Sequence, residues 1–419
     1  MNTSTDLTYR IEHAVASRGY DRKTCWAQAR AGAIPPKTPG ANPTIVMTMQ
    51  KLDLLGSDVY NAIHSLHSTD LGQTWSEPVE QINFRRTPAG ENNVGPMERV
   101  VCDFWPKWHA ASGKLLGTGH TAYYNGDHIA AVRPRETPYS VYDETTQTWS
   151  DWRALDMPDK VKFHNGGAGC TQRVDLPNGE ILLPIYFKVG DPYNLAATVV
   201  RCGFDGQTLE YIEHGTELTN PVPRGYCEPS LAMFNGRFLL SLRNDQAGYV
   251  AGSDDGLHFG EPQLWRFDDG EELGNYNTQQ HWVTHSDALY LVYTRRGLNN
   301  DHVFRNRAPV VMAQVDPERM VVLRETERAV VPERGARLGN FGITEVSADE
   351  TWVVEAEWMQ NSGPWAKTML DILRERMPAE EVEALAATPH LCGACEQFGS
   401  DNTVWCSRLI WDRPNGLMG

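Results

Sequence analysis

Residues 59–67, VYNAIHSLH, interleave apolar and polar side chains with a period near two, the mark of a strand with one face buried. The strand runs into Ser68-Thr69-Asp70-Leu71-Gly72-Gln73-Thr74-Trp75, of the form S-x-D-x-G-x-T-W. Such an octet supplies a short acceptor to hold its own backbone, a glycine for a positive φ and an aromatic ring to plug the turn into the sheet. It predicts a tight turn between antiparallel strands. A second copy stands at Ser253-Asp254-Asp255-Gly256-Leu257-His258-Phe259, and a worn third at Tyr142-Asp143-Glu144-Thr145-Thr146-Gln147-Thr148-Trp149. One turn recurring at strand ends predicts a radially repeated, all-β architecture.

The rest of the chain divides into four-strand units. The first takes 26–34, 44–52, 59–67 and 77–84; the second 101–110, 114–124, 139–148 and a short strand near Trp152. The third takes 168–175, 180–188, 196–204 and 209–214, with Pro177-Asn178-Gly179 as a hairpin turn. The fourth takes 228–234, 237–243, 248–253 and 262–267, turning at Asn235-Gly236, and the fifth 281–284, 288–295, 308–315 and 321–325. A sixth begins with 342–346 and 351–359, is interrupted, and resumes at 403–411. Six units make one β-propeller domain over 1–419, with room in the boundaries for a seventh. The segment 7–16, LTYRIEHAVA, is a strand with no partner nearby and is expected to complete the last blade. Within the interruption, over 364–387, apolar residues recur at three and four with charges between them, which predicts two short inserted helices.

Composition agrees with a large turn-rich core: 13 Trp, 15 Tyr and 36 Gly stand beside only 22% charged residues. The formal charge of -16 repels nucleic acid and anionic membranes and excludes both as partners; an acidic ligand would need a local cluster of arginines. No apolar run reaches about 18 residues, and the N-terminus lacks the layout of a secretory signal. As written the sequence reads as cytoplasmic, or as secreted or periplasmic if a signal has been removed. Eight cysteines are too sparse for a disulfide scaffold, but Cys392, Cys395 and Cys406, with His390 beside them, have a spacing that could hold zinc. The alternative for that group is a loop-packing cluster.

In a propeller the second strand of each blade ends, and the first begins, on the face opposite the Asp-containing turns. That rule collects Gln50, His120, Tyr186, Arg243, Arg295, Arg296 and Glu355 or Glu357 from strand ends. It adds Trp105, Lys107 and His109, His164 with Asn165-Gly166-Gly167, Glu228, Asn277 to His281 including Gln280, and Asn340 from strand starts. His302, Arg305 and Arg307 lie in the connection after Arg296. Each taken alone has a structural reading; Arg243 could pair with Asp245, and Glu228 could pin a loop. Their shared face points to an active site.

Arginines and amides suit an anionic substrate, because a guanidinium takes a carboxylate with two parallel hydrogen bonds. His and Tyr suit proton transfer. β-Elimination from a uronic acid needs both: a neutralised carboxylate, a base for the C5 proton and an acid for the departing O4. No cofactor is required for that chemistry. Hydrolysis would ask for two carboxylates about 5 to 9.5 Å apart, for which Glu228, Glu355 and Glu357 are the candidates.

The Asp-box turns resemble those of sialidase-type propellers. Within that superfamily, NTQQHW (277–282), TRRGLNNDHVFRNRAP (294–309) and RLGNFGITEV (337–346) resemble the propeller polysaccharide lyases of the ulvan lyase type, and related propeller lyases and α-L-rhamnosidases acting on rhamnose linked to glucuronate. The resemblance extends over roughly 44–360. It implies a His, a Tyr and an Arg in that chain order as the two proton-transfer groups and the neutraliser, which fall on His120, Tyr186 and Arg201. The strand reading places Arg201 inside a third strand and favours Arg243 instead. The resemblance further implies seven blades and a calcium in the central channel, against the six units counted, and an acidic oligosaccharide or polysaccharide as substrate. A sialidase proper fits less well, because Tyr9-Arg10-Ile11-Glu12 lacks the proline of its early Arg-Ile-Pro motif. A hydrolase or a non-catalytic sugar-binding propeller remains as the alternative.

Overall fold

The computed structural model describes residues 7–55, 58–131, 133–190, 194–360, 364–387 and 393–418. Its strands hydrogen-bond into six sheets arranged as a β-propeller, antiparallel throughout except where Arg224–Gly225 pairs parallel to Asn194–Phe204 in the third. The first sheet orders Thr24–Ile34, Thr44–Asp53, Tyr60–Ser68 and Val79–Glu80 from inside to outside. Inner strands touch in succession. Thr24–Ile34 lies between Gly95–His109 and Gly342–Ser347, and Cys227–Phe234 reaches His281–His285, which meets Gly342–Ser347 and closes the ring. The third sheet departs from this pattern, because its inner strand is reduced to Gly166–Gly167 and Val174–Asp175. In the sixth sheet the N-terminal strand Tyr9–Arg18 is outermost and pairs with Thr403–Trp411, Tyr9 opposite Trp411.

Large aromatic residues fill the wedges between sheets. Trp265 and Trp282 pack together at a centroid distance of 5.7 Å between the fourth and fifth sheets, and Trp75 meets Trp352 at 6.1 Å between the first and sixth. Trp149, Trp265, Trp282 and Trp352 are fully buried. Each contributes roughly 4–6 kcal/mol of gross transfer free energy.

The turns read from the sequence hold themselves as their chemistry requires. Asp70 accepts the Thr74 N–H at 2.9 Å, Ser68 Oγ accepts the Gly72 N–H at 2.9 Å, and Gly72 has φ of 78°. Asp255 accepts from Leu257 and His258 in the second copy. In the third, Asp143 holds Thr145 and Thr146, while Gln147 takes the left-handed position that glycine fills elsewhere.

Some boundaries differ from the alternation. The outer strand expected over 77–84 shrinks to Val79–Glu80 followed by a 3-10 turn, Ile82–Phe84. The second sheet begins earlier, with Thr87–Asn92 paired to the start of Gly95–His109; glycine, proline and charge hide that hairpin. The inserted region contains Pro364–Arg374 and Ala379–Ala386, and a further short helix, Gly393–Gln397, that alternation did not disclose. Met369, Leu373 and Val382 from this insertion share a core with Tyr60 and Trp358. Among the described residues no helix is long and apolar enough to cross a membrane.

Candidate active site

The inner strands do more than close the ring. Gln28, Asp103 and Glu228 each sit in a β-bulge with left-handed φ, at 59°, 52° and 47°, and Cys170, at 56°, separates the two fragments of the third inner strand. Asn277, at 51°, and Gly339, at 105°, stand just ahead of the fifth and sixth inner strands. A left-handed non-glycine residue costs of order 1–3 kcal/mol and re-aims its side chain out of the alternating pattern. Gln28, Asp103, Cys170 and Glu228 are thereby turned to line one cavity of about 420 Å³.

That cavity is strongly cationic. Arg133, Arg135, Arg224, Arg243, Arg305, Arg307 and Arg337 line it against three carboxylates, Asp58, Asp103 and Glu228. In a chain of net charge -16 this is a local reversal of sign. Burial and mutual repulsion push Arg305 and Arg307 below the ordinary guanidinium range, and burial brings Arg337 down to about 10. A larger cavity, about 670 Å³, lies at the other ends of the inner strands, where the buried ion pair Arg173–Asp175, at 2.9 Å, is closed on itself.

On one wall of the cationic cavity three side chains form a chain of hydrogen bonds. The Tyr186 hydroxyl meets His120 Nδ1 at 3.1 Å, and His120 Nε2 meets Asp103 Oδ2 at 3.1 Å. Burial, with Arg135, Arg133 and Arg30 nearby, holds His120 well below the usual imidazole value, so it is neutral at pH 7. Burial pushes the Tyr186 phenol well above its usual value, against the pull of Arg135, whose guanidinium lies 4.8 Å from the ring centroid. Burial lifts Asp103 to about 6. In the tautomer this arrangement favours, Nε2–H donates to Asp103 and Nδ1 accepts from the phenol. Gly167 and Gly169 make room for the imidazole: a Cβ on Gly169 would stand 1.8 Å from Nδ1.

The structure brings His120, Tyr186, Arg243 and Asn340 to the cavity wall, with Glu228. Arg201 is elsewhere: it lies on the third strand of the third sheet, paired with Glu213 at 2.5 Å and Glu180 at 3.6 Å. Arg135 instead faces the phenol. The His164 side chain is exposed, while its carbonyl holds the Arg135 N–H at 3.0 Å. Asn277 stands behind the lining and accepts from Arg243 and Arg305. Gln280 is buried behind the lining, and His281 is wedged between Trp105 and Phe341 with Nδ1 on Ser230 at 2.6 Å. Arg295 pairs with Glu327 at 2.6 Å, Arg296 lies over the Tyr276 ring, and His302 stacks on Phe398 and meets Glu333. Of these, Gln280, His281 and Arg295 follow the face rule but are engaged by neighbouring strands and loops, Arg296 is exposed, and His302 belongs to the connection.

Of the three glutamates weighed for hydrolysis, Arg243 holds Glu228 as a carboxylate despite its burial. Glu355 accepts the Gly339 and Asn340 N–H groups, and Glu357 pairs with Arg334 at 2.7 Å. Asp103, Arg133 and Arg135 were not picked out from the sequence. The last two belong to the connection between the second and third strands of their sheet, as Arg305 and Arg307 do, so extending the face rule to those connections would have collected them.

Cys395 is disulfide-bonded and packs with Tyr60 and Met369, whereas Cys406 is a free thiol in the separate core of Trp352 and Val404. These two do not form one zinc site; Cys392 and His390 lie outside the described residues. Among the described residues, Cys102, Asp103 and His120 bring metal-type ligand atoms within 4.8 Å of one another. That sulfur, oxygen and nitrogen set suits a soft cation and not the oxygen cage that calcium takes.

No family model and no curated protein matches this chain. Solved structures do. A protein of unknown function from Dyadobacter fermentans superposes with a TM-score of 0.55 at 13% identity, over 96% of this chain and 99% of that one. Trypanosoma rangeli sialidase gives 0.51 at 12% identity, over 92% of this chain and 64% of the sialidase, and its complex with a difluoro-KDN gives 0.53 over 90% and 62%. The chain thus spans just under two thirds of the sialidase it matches. At this identity the likeness is one of fold, a sialidase-like β-propeller.

Proposed function

We propose that this chain is a carbohydrate-active enzyme that cleaves a rhamnose–glucuronate linkage by β-elimination. The hydrogen-bonded Tyr186–His120 pair beside Arg135 carries the reading, because it sets a phenol, a neutral imidazole and a fixed cation in one cavity. Both ring nitrogens of His120 are engaged, so Tyr186 is the group that meets the sugar and His120 is its proton partner.

In the proposed sequence Arg135 takes the uronate carboxylate, which makes the C5 proton more acidic. Tyr186 passes its hydroxyl proton to His120 Nδ1 as its oxygen removes the C5 proton. The electrons left on C5 form the C4=C5 double bond as the C4–O4 bond breaks. O4 leaves with the proton from Tyr186, which recovers its own from His120. One hydrogen moves from C5 to O4, and Asp103 steadies the imidazolium between the two steps.

Two observations favour a second reading, retaining hydrolysis. The fold is that of sialidases, and a phenol backed by a base can serve as a glycosidase nucleophile. Incubation with a rhamnosyl-glucuronate oligosaccharide separates the two. Elimination produces an unsaturated uronate absorbing in the near ultraviolet, and hydrolysis releases free rhamnose with no such chromophore. Binding without either product would point to a sugar-binding propeller.

A further inference from the structure

A β-bulge brings three kinds of metal ligand to one face of the second sheet. Cys102 stands directly opposite His120 in the pairing of Gly95–His109 with Lys114–Asn125, so both side chains leave the sheet on the same side. Asp103, the next residue, would leave a regular strand on the other side; the bulge and its φ of 52° turn it back toward them. The sulfur, one carboxylate oxygen and one ring nitrogen then lie within 4.8 Å of one another, all three residues buried. Two ligands of one tetrahedral zinc stand roughly 3.3–3.6 Å apart, and His120 Nε2 is already 3.1 Å from Asp103 Oδ2.

The state of these groups points to a cation. Asp103 is 7% exposed, and its Oδ1 has no hydrogen-bond partner among the described residues. A buried carboxylate oxygen without a donor costs free energy that a bound cation recovers. Cys102 is a free thiol, kept protonated by burial and by the Asp103 charge; a coordinating cation reverses that balance and takes the thiolate. Cys170 lines the same cavity and is near enough to Asp103 to feel its charge, which leaves the fourth position to its sulfur or to water. The surrounding arginines decide which cation enters. Arg135, Arg133 and Arg30 all act on His120, and their field repels an ion held by charge alone. Magnesium and calcium bind in that way, through oxygen; an ion that bonds to sulfur and imidazole gains enough to enter.

We propose that Cys102, Asp103 and His120 bind a soft divalent cation of the zinc or cadmium class, and that the bound cation switches off the Tyr186–His120 pair. On binding, the Cys102 proton leaves to solvent. The Nε2 proton of His120 gives way to the metal and a proton is taken at Nδ1, so the ring stays neutral and one proton is released in all. Nδ1 then donates to the Tyr186 oxygen and can no longer take the phenol's proton. The switch rests on the proton-transfer reading of that pair; the metal site does not.

Titrating the chelator-treated full chain with cadmium chloride, followed by calorimetry and by the ultraviolet thiolate-to-cadmium band, tests the site, and rates on a rhamnosyl-glucuronate oligosaccharide test the switch. One equivalent of cadmium is expected to bind and raise the band, and magnesium chloride to do neither. Cys102→Ser should remove the band. Asp103→Asn keeps the volume, should a serine upset the core, and is expected to weaken binding by about 10- to 100-fold. Wild-type turnover should fall in step with occupancy, whereas Cys102→Ser should keep its own metal-free rate in the same cadmium. A band unchanged in Cys102→Ser, or wild-type affinity in Asp103→Asn, overturns the site. Full occupancy with turnover unchanged overturns the switch. A chain that binds cadmium with the band and forms no unsaturated product removes the elimination reading and leaves the metal site in place.

Discussion

Gly169 lies so close to His120 that a Cβ built on it would stand 1.8 Å from Nδ1, the ring nitrogen that meets Tyr186. Glycine is required there by the neighbouring ring and not by a special turn. Gly169→Ala is therefore expected to displace the imidazole and break its bond to the phenol, lowering turnover about 10²-fold or more, the scale of losing acid–base catalysis. Initial rates checked against an unchanged circular dichroism spectrum measure this.

Tyr186→Phe removes one hydroxyl and keeps the buried ring. Turnover is expected to fall by about 10²- to 10⁴-fold with the fold intact. Because Nδ1 of His120 then loses its partner, thermal stability should fall by only about 1 kcal/mol, which calorimetry can separate from the kinetic loss.

Arg135 and Arg201 make opposite predictions. Arg135→Gln removes the cation over Tyr186 and is expected to cut kcat/KM by about 10²- to 10³-fold. Arg201 is half-exposed and paired with glutamates on an outer strand, so Arg201→Gln should leave kcat/KM within about twofold of wild type. Equal losses in the two variants would contradict the placement of the site.

Asp103 gives a pH signature. Its carboxyl is lifted from 3.8 to about 6 by burial, and proton relay needs it ionised, so turnover should rise with pH through about 6. The stability term has the opposite sign. Between about pH 4 and 6 the folded state keeps a proton that the unfolded chain has lost, so stability falls as pH rises through that window. Asp103→Asn does not titrate; it should be more stable than wild type above pH 6, by about 1–3 kcal/mol, and much less active. Thermal melts at pH 5 and pH 8 beside rate measurements at both values check the two signs together.

The contrast between what alternation disclosed and what it hid follows the backbone. The octets at 68–75 and 253–259 were legible because turn chemistry is local, and Asp70, Ser68 and Gly72 act on their own neighbours. His120 and Tyr186 were legible because each is a titratable residue in the later half of the second strand of its sheet, Lys114–Asn125 and Ile181–Val189, among residues that are otherwise mostly apolar. Asp103 was not, since it follows Cys102 in a run that reads as an ordinary strand; only its bulge and left-handed φ turn it toward His120. Arg133 and Arg135 lie in an aperiodic connection, where period carries no information. His281 obeyed the face rule and was still misread, because Trp105 and Phe341 clamp it inside the core.

The fate of the hydrogen on C5 tests the central claim most directly. A rhamnosyl-glucuronate oligosaccharide deuterated at C5 should be cleaved more slowly than the unlabelled one, with deuterium lost from the uronate product, and Tyr186→Phe should abolish that loss. Cleavage at an unchanged rate that leaves the deuterium on C5 would contradict proton abstraction by the Tyr186–His120 pair and place the chemistry at the glycosidic carbon.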